Sequence, residues 1–156
     1  MKNFILVNLI FILISLNYSC EHKNEKICDT FAKQGSANEK TLIGEWVFET
    51  IGYTYDGNKI NEKEKLECGG ITFSKSGKIT SFYYYNSGWG TYEISNINAI
   101  SINAGLYTYA MAPPIERTIV KCINNSICYK VVKENLYIHT KKIDDYNVLI
   151  FKKKTR

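Results

Sequence analysis

Residues 112–133, APPIERTIVKCINNSICYKVVK, hold the one change of rhythm in the chain. Ile115, Ile119, Cys122 and Ile123 stand at i, i+4, i+7 and i+8, with Glu116, Arg117 and Lys121 between them. That spacing predicts one amphipathic helix over about residues 115–125. Pro114 stands at its start, where a missing N–H costs nothing. Beyond Asn125 the period drops to that of a strand, Ile127 to Lys133. A single helix with strands on both sides separates an α+β fold from an all-β one.

Working outward, alternation of apolar and polar residues marks strands in both directions. Upstream, Trp46, Phe48 and Thr50 alternate with Val47, Glu49 and Ile51 from residue 42 on. Tyr55 to Asn58 reads as a turn, and the charged stretch Asn61 to Glu67 as an exposed loop or short helix. Ile71 to Ser74 and Lys78 to Tyr85 form a hairpin about Ser76-Gly77, since glycine accepts the positive φ of a tight turn. Asn86 to Gly88 reads as a second turn, followed by strands Gly90 to Ile94 and Ala99 to Asn103. Downstream come Leu136 to Thr140 and Val148 to Lys152, with a turn at Glu134-Asn135. The fold class expected is α+β, a small antiparallel sheet rolled into a partial barrel around the late helix, burying both apolar faces. Twelve tyrosines against two prolines favour the strands.

A chain of 156 residues with 45% hydrophobic and 22% charged residues suits one globular domain. Its first 19 residues have another purpose. Lys2 supplies a positive start, and Phe4 to Leu16 an apolar run too short to span a bilayer, the pattern of an export signal. Leu16-Asn17-Tyr18-Ser19-Cys20 resembles a lipobox. That resemblance implies a bacterial lipoprotein, cut before Cys20, lipidated on its thiol and held on a membrane of the cell envelope with its domain in the periplasm or on the surface. The competing reading is an ordinary secreted protein with Cys20 in a disulfide. Assigning Cys20 to lipid leaves Cys28, Cys68, Cys122 and Cys128, an even set from which disulfides are expected in an oxidising compartment, in three alternative connectivities. Cys122 can also stand free and buried. Residues 20–40, polar and without apolar period, read as the lipidated cysteine and a flexible tether with a span of roughly 25 Å, and residues 41–156 as a single, monomeric domain. Cys28 lies inside that tether, so one disulfide could pin it to the domain.

The catalytic inventory is thin. Of two histidines, His22 lies in the tether and His139 faces away from Leu136 and Ile138, a surface position with no Ser or Cys to pair with. Cys122 and Cys128, separated by five residues across a helix end, lack zinc-ligand spacing, so no metal is expected. Asp144-Asp145 reads as a solvated turn, and Gly69-Gly70 and Gly88-Trp89-Gly90 match no phosphate loop. No cofactor and no enzymatic activity are expected. The net charge of +5 is scattered, with Lys152, Lys153, Lys154 and Arg156 read as a solvated end, so nucleic acid is not an expected partner. Tyr83, Tyr84, Tyr85, Trp89, Tyr92, Tyr107 and Tyr109 crowd one region, some for the core and some for a surface able to bind sugars, peptides or apolar molecules.

In order along the chain, Leu42, Gly44 and Trp46, then Asn86, Gly90 and Tyr92, then Thr108 and Met111, with one helix and closing strands, resemble the META/HslJ-like domain. Tyr85 and Pro113 stand where that family usually has a pair of cysteines. The resemblance implies a small envelope-lipoprotein domain associated with stress tolerance, with no catalytic residues to carry over. A second resemblance is to lipocalin-like lipoproteins, which open with the same G-x-W strand and carry small apolar ligands in a barrel. The function expected is a non-enzymatic envelope lipoprotein acting through binding. The alternatives are a carrier of a small apolar ligand and an adaptor or inhibitor of another envelope protein.

Overall fold

The computed structural model describes residues 28–31, 38–54, 60–65, 69–82, 86–95, 98–107 and 114–155. Among the described residues, nine strands form one antiparallel sheet: β1 (Gly44–Thr54), β2 (Ile60–Lys65), β3 (Gly70–Phe73), β4 (Lys78–Phe82), β5 (Ser87–Ser95), β6 (Ala99–Tyr107), β7 (Ser126–Val132), β8 (Asn135–Ile143) and β9 (Tyr146–Lys153). A one-turn helix, α1 (Glu39–Leu42), precedes β1, and α2 (Pro114–Asn124) separates β6 from β7. The strands follow one another round the sheet as a meander, and β1 pairs with β9 from Trp46↔Lys153 to Gly52↔Val148 to close it. β2 and β3 share the other edge of β1, at Thr50–Thr54 and Gly44–Val47, so the barrel has eight positions around its wall.

One seam is nearly open. β6 and β7 share a single ladder pair, Ala99↔Cys128, with a further bond from the Tyr129 amide to the Asn98 carbonyl. The expected partial barrel with one late helix is what the chain forms. Along β6, the Asn124 side chain accepts from the Ala104 amide (2.7 Å) and donates to the Ala104 carbonyl (2.9 Å), supplying both bonds of a strand partner from the end of α2. Asn147 completes Thr54 at the end of β1 in the same way.

The helix begins at Pro114 as predicted and sends Ile119, Cys122 and Ile123 into the barrel core, with Ile115 half-buried. Asn125 donates its side-chain amide to the Lys121 carbonyl and Ser126 its hydroxyl to the Ile123 carbonyl, satisfying acceptors of the last turn. The interior is filled by Trp46, Phe48, Ile71, Phe73, Ile79, Tyr92, Ile100, Ile102, Tyr129, Leu136, Ile138, Leu149 and Phe151. Phe48 lies against Phe151 with ring centroids 4.3 Å apart, and Phe73 meets Tyr92 edge-on at 5.1 Å.

Three expectations need correction. Asn61 to Lys65 is neither loop nor helix but lies in β2, because the far half of β1 offers a free edge that its backbone completes. Ser87 and Gly88 are not a turn but the first residues of β5, paired with both β4 and β6. The alternation of β1 does not run unbroken: the register against β9 slips between Phe48 and Thr50, so one extra residue is taken up and Ile51, not Thr50, joins the interior core. Gly77 does hold a positive φ of 73° in the β3–β4 turn.

Candidate functional site

The outer face of β7, β8 and β9 is where the chain departs most from an ordinary solvated wall. Side chains alternate along a strand, so Tyr129, Val131, Leu136, Ile138, Leu149 and Phe151 point inward, leaving Cys128, Lys130, Tyr137, His139, Val148 and Ile150 outside. Cross-strand pairing sets these in two rows, Cys128–His139–Val148 and Lys130–Tyr137–Ile150. Helical residues 28–31 lie over both. Cys28 is disulfide-bonded to Cys128 with Cα atoms 5.6 Å apart, the Asn98 side chain donates to the Cys28 carbonyl at 2.7 Å, and Phe31 is fully buried.

Phe31 covers two ionisable groups. Its ring meets the His139 imidazole edge-on at 5.4 Å, and the Lys130 ammonium sits 4.2 Å above it and 5.5 Å from the centre of the Tyr137 ring. Lys130 is 3% exposed and His139 5%. Burial pushes the Lys130 ammonium below its usual range. Burial first, and then the positive charge of Lys130, push His139 down to about 4, so it is neutral at pH 7. Its Nδ1 is buried without a hydrogen-bond partner. This corrects the reading of His139 as a surface residue: it does face away from the core, but a second layer covers it. It corrects the tether as well, because residues 28–31 are packed helix.

A second buried polar group lies where α2 begins. Glu116, expected on the solvated face, is 1% exposed and accepts a 3.0 Å bond from the Asn86 side-chain amide. Asn86 Oδ1 and Glu116 Oε1 stay unpartnered. At the opposite end, the Trp46 indole N–H donates to the Leu42 carbonyl at 2.7 Å, while Lys153 lies 4.2 Å over the Trp46 ring and donates to the Ile43 carbonyl. Gly44, at φ 125°, leaves that space: a Cβ there would stand 2.7 Å from the Lys153 ammonium.

The remaining expected residues distribute as follows. Leu42, Gly44 and Trp46 come together as just described. Gly90 presses against β6, and the Tyr92 hydroxyl donates to the Ser74 carbonyl. Trp89 is 56% exposed on the outer wall. Asp144 and Asp145 form an exposed turn. Cys122 is a free, buried thiol, pushed up to about 11 by burial. Cys20, His22, Cys68, Tyr83, Tyr84, Tyr85, Thr108, Tyr109 and Met111 lie outside the described residues, and of Tyr107 only the backbone is described. Among the described residues no three or more of His, Cys, Asp and Glu gather as a metal site. No helix there is long and apolar enough to cross a membrane.

Sequence reasoning missed the covered face, although a signal for it existed. Val148-Leu149-Ile150-Phe151 is continuously apolar, which is how a strand buried on both sides reads.

The sequence matches no family model and no curated protein. Two solved structures share the fold. One is a DUF4847-family protein from Bacteroides vulgatus ATCC 8482, with a TM-score of 0.56 and 14% identity over 74% of this chain and 95% of that one. The other is a protein from Burkholderia xenovorans, with a TM-score of 0.57 and 16% identity over 75% of this chain and 86% of that one. At such identities the likeness is one of architecture alone, a β-barrel.

Proposed function

We propose that this chain is an envelope lipoprotein, anchored by lipid on Cys20, whose barrel acts by binding rather than by turnover. The observation that carries the reading is the Cys28–Cys128 disulfide. Structural disulfides belong to oxidising compartments outside the cytoplasm, and this one joins the barrel to the segment eight residues beyond the lipobox cysteine. The sealed, neutral His139 supports a non-enzymatic role, because an imidazole under Phe31 exchanges no proton with a bound substrate. The order of Leu42, Gly44 and Trp46 before Asn86, Gly90 and Tyr92 keeps kinship with META/HslJ-like domains, and with it a role in envelope stress, as part of the proposal. The test is the intact mass and membrane partition of the wild type and of Cys20→Ser. Added acyl mass on a chain beginning at Cys20, with the variant released from membranes, supports the reading. Equal membrane retention of the variant sinks it.

A second reading, carriage of a small apolar ligand, rests on the β-barrel shape alone and requires the side chains that fill the interior to part around the ligand. It predicts that Trp46, buried in the interior, changes emission when fatty acids or phospholipids are added. An unchanged spectrum at saturating lipid removes it.

A further inference from the structure

We propose that the outer face of β4, β5 and β6 is a platform for a neutral glycan, with Trp89 stacking on a sugar ring and Gly105 leaving a shelf beside it. Trp89 is 56% exposed, the most open of the large apolar side chains among the described residues. Cross-strand pairing sets Thr72, Thr80, Trp89 and Gly105 in one outward row, with Lys78, Thr91 and Asn103 in the row beside it. Adjacent strands stand ~4.8 Å apart, so the first row runs roughly 14 Å across the wall, longer than a single pyranose ring. Such a platform gives a ligand class to the binding role proposed above and does not depend on lipid at Cys20.

Gly105 is what makes this more than one exposed ring. Gly52, Gly70 and Gly90 are required by packing, since a Cβ on any of them would run into a carbonyl oxygen of the paired strand. Among the described residues, a Cβ at Gly105 would meet the Trp89 carbonyl alone, at 3.9 Å, an ordinary contact. Gly105 does not hold a positive φ either. Neither packing nor backbone conformation therefore asks for glycine within this strand, where it weakens the sheet. Its missing side chain leaves open space on the outside of the wall, directly across from Trp89. A strand glycine without a packing role suits the close approach of a ligand to the backbone.

The chemistry around the shelf selects the occupant. A pyranose ring presents a face of C–H groups, which the electron-rich face of an indole attracts. Thr80, Thr91 and Asn103 are exposed and offer hydroxyls and a carboxamide, groups that both donate and accept as sugar hydroxyls do. The three strands carry one lysine, Lys78, and one glutamate, Glu93, so no excess of either sign draws nucleic acid or anionic lipid. The polar neighbours of Trp89 also lack the apolar surround that seals a protein contact.

The test is calorimetric titration of the full-length protein with cellotetraose, N-acetylchitotetraose and mannotetraose, alongside tryptophan emission. At least one sugar should bind with a Kd on the order of 1 mM or tighter, shifting the emission of the exposed Trp89 to the blue. Trp89→Ala should weaken binding about tenfold or more, the effect of losing a stacked aromatic, and Trp89→Tyr should recover most of it. Gly105→Val fills the shelf with a residue suited to a strand. It should bind about tenfold more weakly while unfolding in urea no earlier than wild type, a combination that a merely structural pairing of Trp89 with Gly105 does not produce. No binding of any of the three sugars overturns the proposal, as does binding that Trp89→Ala and Gly105→Val both keep. A marked loss of stability in Gly105→Val shows that packing needs the glycine, and removes the shelf. Inert sugars together with binding to phosphatidylglycerol vesicles that Trp89→Ala abolishes make the face a membrane contact and overturn the glycan. Acyl mass on Cys20, read from the same samples, decides the anchor separately, so failure of the anchor and failure of the platform give different results.

Discussion

Acidification should weaken this fold through His139. Its folded pKa is held down to about 4 by burial beneath Phe31 and by the charge of Lys130, against about 6.5 in an unfolded chain. Above pH 6.5 both states leave the imidazole neutral, and stability is complete. Between 6.5 and 4 the unfolded chain binds a proton that the folded one refuses, so stability falls as pH falls. Below 4 both are protonated and the loss is complete. A gap of roughly 2.5 pH units at about 1.4 kcal/mol each puts that loss on the order of 3 kcal/mol, a large fraction of the 5–15 kcal/mol typical of domains. Urea denaturation followed by tryptophan emission, at steps from pH 7.5 to pH 3.5, measures it. His139→Phe, an aromatic ring without a proton site, should lose on the order of 3 kcal/mol less over the same interval. Parallel stability curves for wild type and His139→Phe refute the argument.

Four further outcomes follow from the geometry. Replacing Cys28 with Ser opens a loop of 100 residues and should lower stability by about 4.7 kcal/mol in urea, the entropic value for such a loop. Gly90→Ala should destabilise by more than about 2 kcal/mol, because its Cβ would meet the Asn103 carbonyl and stand 2.8 Å from Ala104 Cα, inside the β5–β6 ladder; the shift of the urea midpoint reads it. Asn86→Ala strands the Glu116 carboxyl without its one donor, and should cost roughly 3 kcal/mol by thermal denaturation, most of it recovered in Asn86→Ala/Glu116→Leu. Cys122, buried and pushed up to about 11, should resist iodoacetamide in the native protein and react on unfolding, as mass spectrometry will record; rapid native labelling would contradict its burial.

The elements of this barrel were legible because they are local. The 3.6-residue spacing of Ile115, Ile119 and Cys122 places α2 to within a residue, and Ser76-Gly77 marks its hairpin because glycine alone accepts that φ at no cost. The errors fall where the deciding partner is distant in sequence. β2 looked like a loop because its charged residues gain strand structure from the free edge of β1. Glu116 looked solvated because its partner Asn86 is 30 residues away. The site was partly legible as an odd cysteine count and a cysteine inside an otherwise polar lead-in.

By itself, then, the sequence determined a meander of short strands and one late helix, since each rests on periodicity within a few residues. Alternation also determined that His139 faces away from Leu136 and Ile138. Only the tertiary structure decided that this outer face is shut off from water, because that depends on residues 28–31 arriving from a hundred positions away. The same layer turns His139 from a solvated imidazole into a neutral, buried one. Its charge follows from the dielectric of its surroundings, and those come into existence only when the chain closes over it.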